Sequence, residues 1–304
     1  MVANITQAAQ QAKTYLNIGC GKHFHEAWTN IDLVSVSPSV RAYDLRKGLP
    51  YADNSYDAVY TSHVLEHLSP ADARSSLREQ FRVLKRGGII RVVVPDLEGV
   101  VREYLRQLES IIAGTAGAEA NYDWMILELL DQTTRTKVSG IMGDFIMHPA
   151  FSNADYVASR LGEEVRDWID AAHARTQPEN ALQKRNISEE NSSSFLAKLR
   201  SKSPTWIVRK LRYALADAFV GVIAGAEARQ SFREGVFRDS GEIHRWMYDR
   251  FSLGRLLKEV GCTDVRVCRY DESRIPDFAS YLLDSTPSGL PRKPDSLFME
   301  GIKP

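Results

Sequence analysis

Apolar positions in residues 14–95 follow two alternating periods. Tyr15-Leu16-Asn17-Ile18, Trp28 to Val34, Val40 to Leu45 and Ala58-Val59-Tyr60 are short, apolar-rich runs that predict strands. Ile89 to Val94 is an almost unbroken apolar run, as expected for a strand covered on both faces. Between the last two runs the period lengthens: Ala73, Leu77, Phe81 and Leu84 recur at helical spacing. Ser69 predicts the cap of that helix and Pro70 its first turn. Lys85 and Arg86 predict its C-terminal end, and Gly87 a left-handed stop. Strands interleaved with helix predict a parallel α/β sheet with right-handed crossovers.

The strand period then disappears. Gly99 to about Asp239 reads as helices and loops, with Trp124, Leu127 and Leu130 marking a helix over 122–134 and a polar surface loop over 184–203. Alternation resumes after Gly241, with a helix at Leu253–Val260, a stop at Gly261, and strands at Val265–Arg269 and Ser296–Ile302. Three segments follow: 14–98, an inserted helical region 99–239, and a return at 240–304.

Composition narrows the function classes. Thirty-nine basic residues balance thirty-nine acidic ones, so no global field draws the chain to nucleic acid. Cys20, Cys262 and Cys268 lack paired spacing, which argues against a disulfide framework or a cysteine-held zinc, and no metal site is expected. Neither an apolar leader nor a run of roughly 20 apolar residues is present, so the expected location is the cytoplasm.

Candidate chemistry gathers where the first strands end. Ligands of open α/β sheets bind outside the carboxyl ends of the strands. Gly19-Cys20-Gly21 follows the first strand and lets backbone amides approach a ligand. Asp32 ends the second, where a carboxylate can accept from ribose hydroxyls; Asp44-Leu45 ends the third, offering an acceptor and an apolar wall to an adenine. A dinucleotide fingerprint is excluded, because its third glycine would fall on Phe24.

The ordered succession Leu16-Asn17-Ile18-Gly19-Cys20-Gly21, Asn30-Ile31-Asp32-Leu33, Asp44-Leu45, Leu49-Pro50-Tyr51, Tyr56-Asp57-Ala58-Val59, His63-Val64-Leu65-Glu66-His67-Leu68 and Leu84-Lys85-Arg86-Gly87-Gly88 resembles class I S-adenosylmethionine-dependent methyltransferases. Within that class it most resembles the bacterial branch associated with surface-polysaccharide biosynthesis. The likeness returns at Ile243 to Asp249 and Pro294 to Glu300. It implies a Rossmann-like seven-stranded sheet with its last strand antiparallel, carrying a large helical insertion. It further implies S-adenosylmethionine as cofactor, with Gly19 and Gly21 at the methionine moiety, Asp32 at the ribose, Asp44 and Leu45 at the adenine, and Ser62 beside the sulfonium. The acceptor it implies is a sugar or glycan hydroxyl, with other small molecules and nitrogen or carboxyl acceptors left open. The gap from Gly21 to Asp32 departs from the family in leaving little room for a helix after the first strand.

Methyl transfer to a hydroxyl gains from a general base. His63, Asp96 and His244 are candidates by position, each with a plain alternative: a loop-holding histidine, or for Asp96 a helix cap. Glu128, Asp131, Gln132, His148 and Tyr248 are candidates for holding a polyhydroxylated acceptor, against the alternative of solvated helix positions. His63-Val64-Leu65-Glu66-His67 also spells the HxxEH pattern of zinc hydrolases, and a non-catalytic cofactor-binding module is a third reading. Lys198, Arg200, Lys202, Arg209, Lys210 and Arg212 precede an apolar stretch, Ala214 to Ala226, marking 198–226 for peripheral membrane or homo-oligomer contact.

Overall fold

The computed structural model describes residues 13–148, 151–176 and 204–304. They form two compact units. One comprises the described parts of Met1–Arg102 with Arg245–Pro304, the other the described parts of Glu103–His244.

The first unit is built on a seven-stranded sheet: β1 (Tyr15–Ile18), β2 (Thr29–Asp32), β3 (Val40–Ala42), β4 (Tyr56–Ser62), β5 (Leu84–Pro95), β6 (Thr263–Cys268) and β7 (Ser296–Ile302). Their spatial order is β3-β2-β1-β4-β5-β7-β6. The first five run parallel, and β7 inserts antiparallel between β5 and β6, in register Ile89↔Ile302 to Pro95↔Ser296. This is the Rossmann-like arrangement with its last strand antiparallel. Strand order reverses between β1 and β4, so the ends of those strands open a crevice for a ligand.

One face of the sheet carries aliphatic side chains, Leu16, Ile18, Ile31, Val59, Ile90 and Val92, under α1 (Pro70–Val83) and a helix at Arg250–Glu259. The Ser69 hydroxyl accepts the Asp72 amide and starts α1, with Pro70 in its first turn. The helix stops at Val83 rather than near Gly87. Leu84 is already extended, and Lys85 pairs with Asp57 at 2.8 Å instead of capping a helix end. Asp249 starts the other helix with a reciprocal capping box to Ser252.

The opposite face is aromatic. Tyr15, Trp28, Tyr60 and Phe298 lie under Ile275, Phe278 and Leu283, from the segment joining β6 to β7. No helix occupies the interval between β1 and β2, as the short gap required. β3 is shorter than its apolar run, because Asp44 caps a 3₁₀ turn at Leu45–Lys47.

The second unit is helical: α2 (Leu97–Ile112) leads into it, followed by α3 (Ala118–Thr134), α4 (Gly140–Met147), α5 (Ala154–Leu161), α6 (Glu163–Thr176) and α7 (Pro204–Arg238), so that the helix at Arg250–Glu259 is α8. The buried side of α3 is Trp124, Met125, Glu128 and Asp131, while Leu130 faces outward. Helical phase, rather than apolarity alone, selects that face. α7 reverses at Gly225, whose φ of 86° breaks the helix into two arms. The loop expected at 184–203 lies outside the described residues, as do Lys198, Arg200 and Lys202. No helix among the described residues is long and apolar enough to cross a membrane.

Candidate active site

Gly19-Cys20-Gly21 turns sharply out of β1. Gly19 has φ 65°, and a Cβ there would fall 2.2 Å from the Val64 side chain, so a larger residue cannot take this position. Gly21 also has φ 53°, but nothing lies within 4 Å of where its Cβ would be; the loop opens onto free space. The Gly21 amide donates to Asp32 Oδ2 at 2.8 Å and the Val34 amide to Oδ1 at 3.1 Å. Asp32 is thereby fixed against the glycine turn at the sheet edge. Burial, with the Asp32 charge nearby, pushes the Cys20 thiol up to about 11, so it stays protonated and unreactive.

A cleft of about 230 Å³ starts at this turn and runs along the aromatic face. Gly19, Cys20, Gly21, Ser62 and His63 line it, bringing five of the sequence candidates together. His63 follows β4 with φ 53°, and its amide donates to Val93 O at 2.9 Å. Its Nδ1 lies 3.2 Å from Oε1 of the fully buried Glu66, and its Nε2 lies 2.8 Å from Ser296 Oγ. The Glu66 carboxylate, which can only accept, faces the Nδ1 edge of the ring, while Nε2 faces the Ser296 hydroxyl. The HxxEH reading loses its premise. A zinc pair needs both histidines one turn apart on a helix, but His63 sits in a left-handed turn and only Leu65–His67 forms a short 3₁₀ segment.

The cleft also contains groups that sequence reasoning missed: Asn17, Tyr60, Asp284, Arg292 and Lys293. Asp284 is buried, accepting from the Tyr60 hydroxyl at 2.5 Å and from Arg91 Nε at 2.8 Å. Burial holds the Tyr60 hydroxyl well above its usual range. It also raises the Asp284 carboxyl, against the pull of Arg91. Arg91 is fully buried itself; it donates to Glu300 at 2.9 Å and to the carbonyls of Arg269 and Glu272, and stacks 4.6 Å from the Phe278 ring centre. The only local hint was a lone arginine within the apolar run of β5.

Other candidates stand elsewhere. Asp44 does not line the cleft; Arg46 holds its carboxylate by two bonds of 2.9 Å, keeping it below its usual range. Leu45 lines a separate hollow of about 70 Å³ with Leu68 and Glu79. Asp96 takes the plainer role: its carboxylate accepts the Glu98 amide and begins α2, while burial raises its pKa. Tyr248 is corrected from acceptor contact to core: its ring is buried with Leu253 and Leu297, and burial pushes its hydroxyl up to about 12.

In the helical unit, Glu128 accepts from Trp124 Nε1 at 2.9 Å and pairs with Arg160 at 2.5 Å. Asp131 accepts the Ile141 amide at 2.6 Å and pairs with Arg135 at 2.8 Å. Both carboxylates are buried and committed to holding helices together, so neither is placed to receive a sugar. The Gln132 carbonyl takes the amide of His244, which is buried in the same unit. His148 is exposed and borders a hollow of about 200 Å³ with Asp123 and Asn153.

With this geometry in view, residues 6–92 match the family model described as a methyltransferase domain. The open space before Gly21, beside the anchored Asp32, suits a ligand at that edge. The chain is 39% identical over 71 residues to the demethylmenaquinone methyltransferase of Corynebacterium urealyticum, covering 21% of this chain and 30% of that one. It is 42% identical over 66 residues to the same enzyme of Corynebacterium glutamicum, covering 20% and 28%. The chain thus spans under a third of the length of these curated relatives. A solved S-adenosylmethionine-dependent methyltransferase from Archaeoglobus fulgidus aligns at 21% identity with a TM-score of 0.25, over 31% of this chain and 52% of that one.

Proposed function

We propose that this protein transfers a methyl group from S-adenosylmethionine to an oxygen of a sugar or glycan. The observation that carries the reading is the continuity of one cleft from the glycine turn of β1 to His63 at the end of β4. The bound cofactor supplies a methyl carbon activated by positive sulfur. Gly19 and Gly21 would let backbone come close to its methionine end, and Asp32 would accept from its ribose. Ser62 stands at the strand end where the sulfonium is read to lie.

His63 is the general base. With Glu66 beside Nδ1, Nε2 is the nitrogen that would take the acceptor's proton, while the methyl group would pass to the acceptor oxygen and the sulfur would leave as the neutral thioether. The Ser296 hydroxyl shares Nε2, so the acceptor either displaces it or passes its proton through it. A second reading, supported by the relatives' names, is a demethylmenaquinone-like small molecule as acceptor. The charged and polar lining from Asp284, Arg292 and Lys293 favours the polyhydroxylated acceptor over an apolar quinone.

The test is calorimetric titration with S-adenosylhomocysteine, then a screen of sugar nucleotides and glycans for methyl mass gain. No binding at millimolar concentration overturns the reading. His63→Ala should retain cofactor affinity while lowering turnover roughly a hundredfold or more; unchanged turnover removes His63 as the base.

A further inference from the structure

The interval between β1 and β2 holds no helix, and this removes a common anion site. In doubly wound sheets the helix after a glycine-rich first turn presents its N-terminal amides and positive dipole end to the ligand's negative group. Here the glycine turn runs on into loop. An anion bound beside Gly19 and Gly21 has to be met by charge from another part of the chain.

The segment joining β6 to β7 carries such charge. Residues 284–292 form a small hairpin: Ser285 bridges Pro291, the Arg292 amide donates to Asp284 O at 2.9 Å, and the Thr286 amide donates to Leu290 O at 2.8 Å. Leu282 leads into it with φ 51°, a left-handed conformation that leucine rarely adopts, and its carbonyl accepts Arg292 Nε at 2.9 Å. Asp284 begins the hairpin, Arg292 and Lys293 end it, and all three line the cleft together with Gly19 and Gly21.

The wall so formed carries both signs. Asp284 is buried, and the Tyr60 hydroxyl and Arg91 Nε leave room on its two oxygens for a further donor. Arg292 and Lys293 are half-buried. A guanidinium and an ammonium each carry several N–H donors, so both can take an anion alongside the contacts they already make. A ligand with only negative charge would be set against Asp284, and one with only positive charge against the two cations. A zwitterion answers both. The amino-acid end of S-adenosylmethionine, with ammonium and carboxylate on one carbon, is such a group.

We propose, on the reading of S-adenosylmethionine as the donor, that the hairpin holds the donor's amino-acid end, Asp284 accepting from the ammonium and Arg292 and Lys293 donating to the carboxylate. The preference for a polyhydroxylated acceptor is unaffected, since a charged wall disfavours an apolar neighbour whichever molecule it holds.

The test is calorimetry of the full chain with S-adenosylhomocysteine, with its decarboxylated form, and with methylthioadenosine, which lacks the amino-acid end. S-adenosylhomocysteine is expected to bind about tenfold or more tightly than methylthioadenosine. Lys293→Ala should weaken S-adenosylhomocysteine by about tenfold and leave the other two probes unchanged, because neither carries the carboxylate. Asp284→Asn should weaken S-adenosylhomocysteine and its decarboxylated form but not methylthioadenosine. Unchanged methylthioadenosine binding also reports that a variant is folded; if Asp284→Asn unfolds and loses every probe, Lys293→Ala decides. Equal weakening of all probes by Lys293→Ala, or an S-adenosylhomocysteine affinity that this substitution leaves unaltered, overturns the role of the hairpin alone. Wild-type protein that binds none of the probes overturns the donor reading, and the role of the hairpin with it.

Discussion

The two faces of the sheet are made by the same strands yet are sealed in different ways. On one, Leu16, Ile18, Val59 and Ile90 pack beneath α1 and α8, two regular helices with apolar stripes. On the other, Tyr15, Trp28 and Tyr60 meet an irregular segment, and Arg91, Asp284 and Glu300 bury an ionic cluster among the rings. The difference comes from the chain between β1 and β2, too short to supply a crossover helix. The segment between β6 and β7 covers that face instead, and its edge leaves the cleft. The helix-covered face packs aliphatic side chains, whereas the face covered by loop and aromatic rings keeps a cleft with polar walls. The candidate site therefore lies where regular packing was given up.

The largest expected effect tests the ionic seal. Arg91→Ala leaves the buried carboxyls of Asp284 and Glu300 without their cation, and should cost about 4 kcal/mol in denaturant unfolding. On the helix-covered face, Leu77→Ala should cost about 3 kcal/mol through lost burial and a residual cavity. A smaller loss for Arg91→Ala than for Leu77→Ala would mean that water reaches the ionic cluster, and the contrast between a dry and a polar face would fail.

The smallest effect lies at the start of β4. Burial raises the Asp57 carboxyl, but hydrogen bonds from Lys85 and Thr14 outweigh it and hold the group at about 2, below its ordinary 3.8. A depressed carboxyl contributes stability above its unfolded value and loses it as pH falls through its folded one. Stability should thus decline between about pH 4 and pH 2, and Asp57→Asn should flatten that part of the acid unfolding curve. An unaltered curve would show that the Asp57–Lys85 pair contributes nothing to stability.

Local signals were legible where a few neighbouring residues decide the outcome. Ser69-Pro70 announced α1, Ser296–Ile302 was read with the bounds it has, and Gly19-Cys20-Gly21 marked the turn that opens the cleft. What could not be read depends on partners far along the chain. Arg91 looked like an interruption in an apolar strand until Asp284 and Glu300 came beside it. Glu128 and Asp131 read as ligand-facing acids because a sequence does not reveal that Arg160 and Arg135 will neutralise them in the interior. Asp44 shortened a strand by capping a turn, a contest between side chain and ladder that hydrophobic period does not register.

The insertion of β7 between β5 and β6 has a consequence for how the molecule is made. β5 emerges from the ribosome early, but the strand that pairs with its free edge is synthesised roughly 200 residues later. Through that interval the nascent chain carries an open row of amides and carbonyls along Ile89 to Pro95, next to some of its most apolar sequence. The helical unit, translated in between, can form from its own local contacts while the sheet waits. Chaperone dependence should accordingly follow the time to synthesis of Ser296–Ile302, and a variant that delays this strand would aggregate through β5 before it could fold.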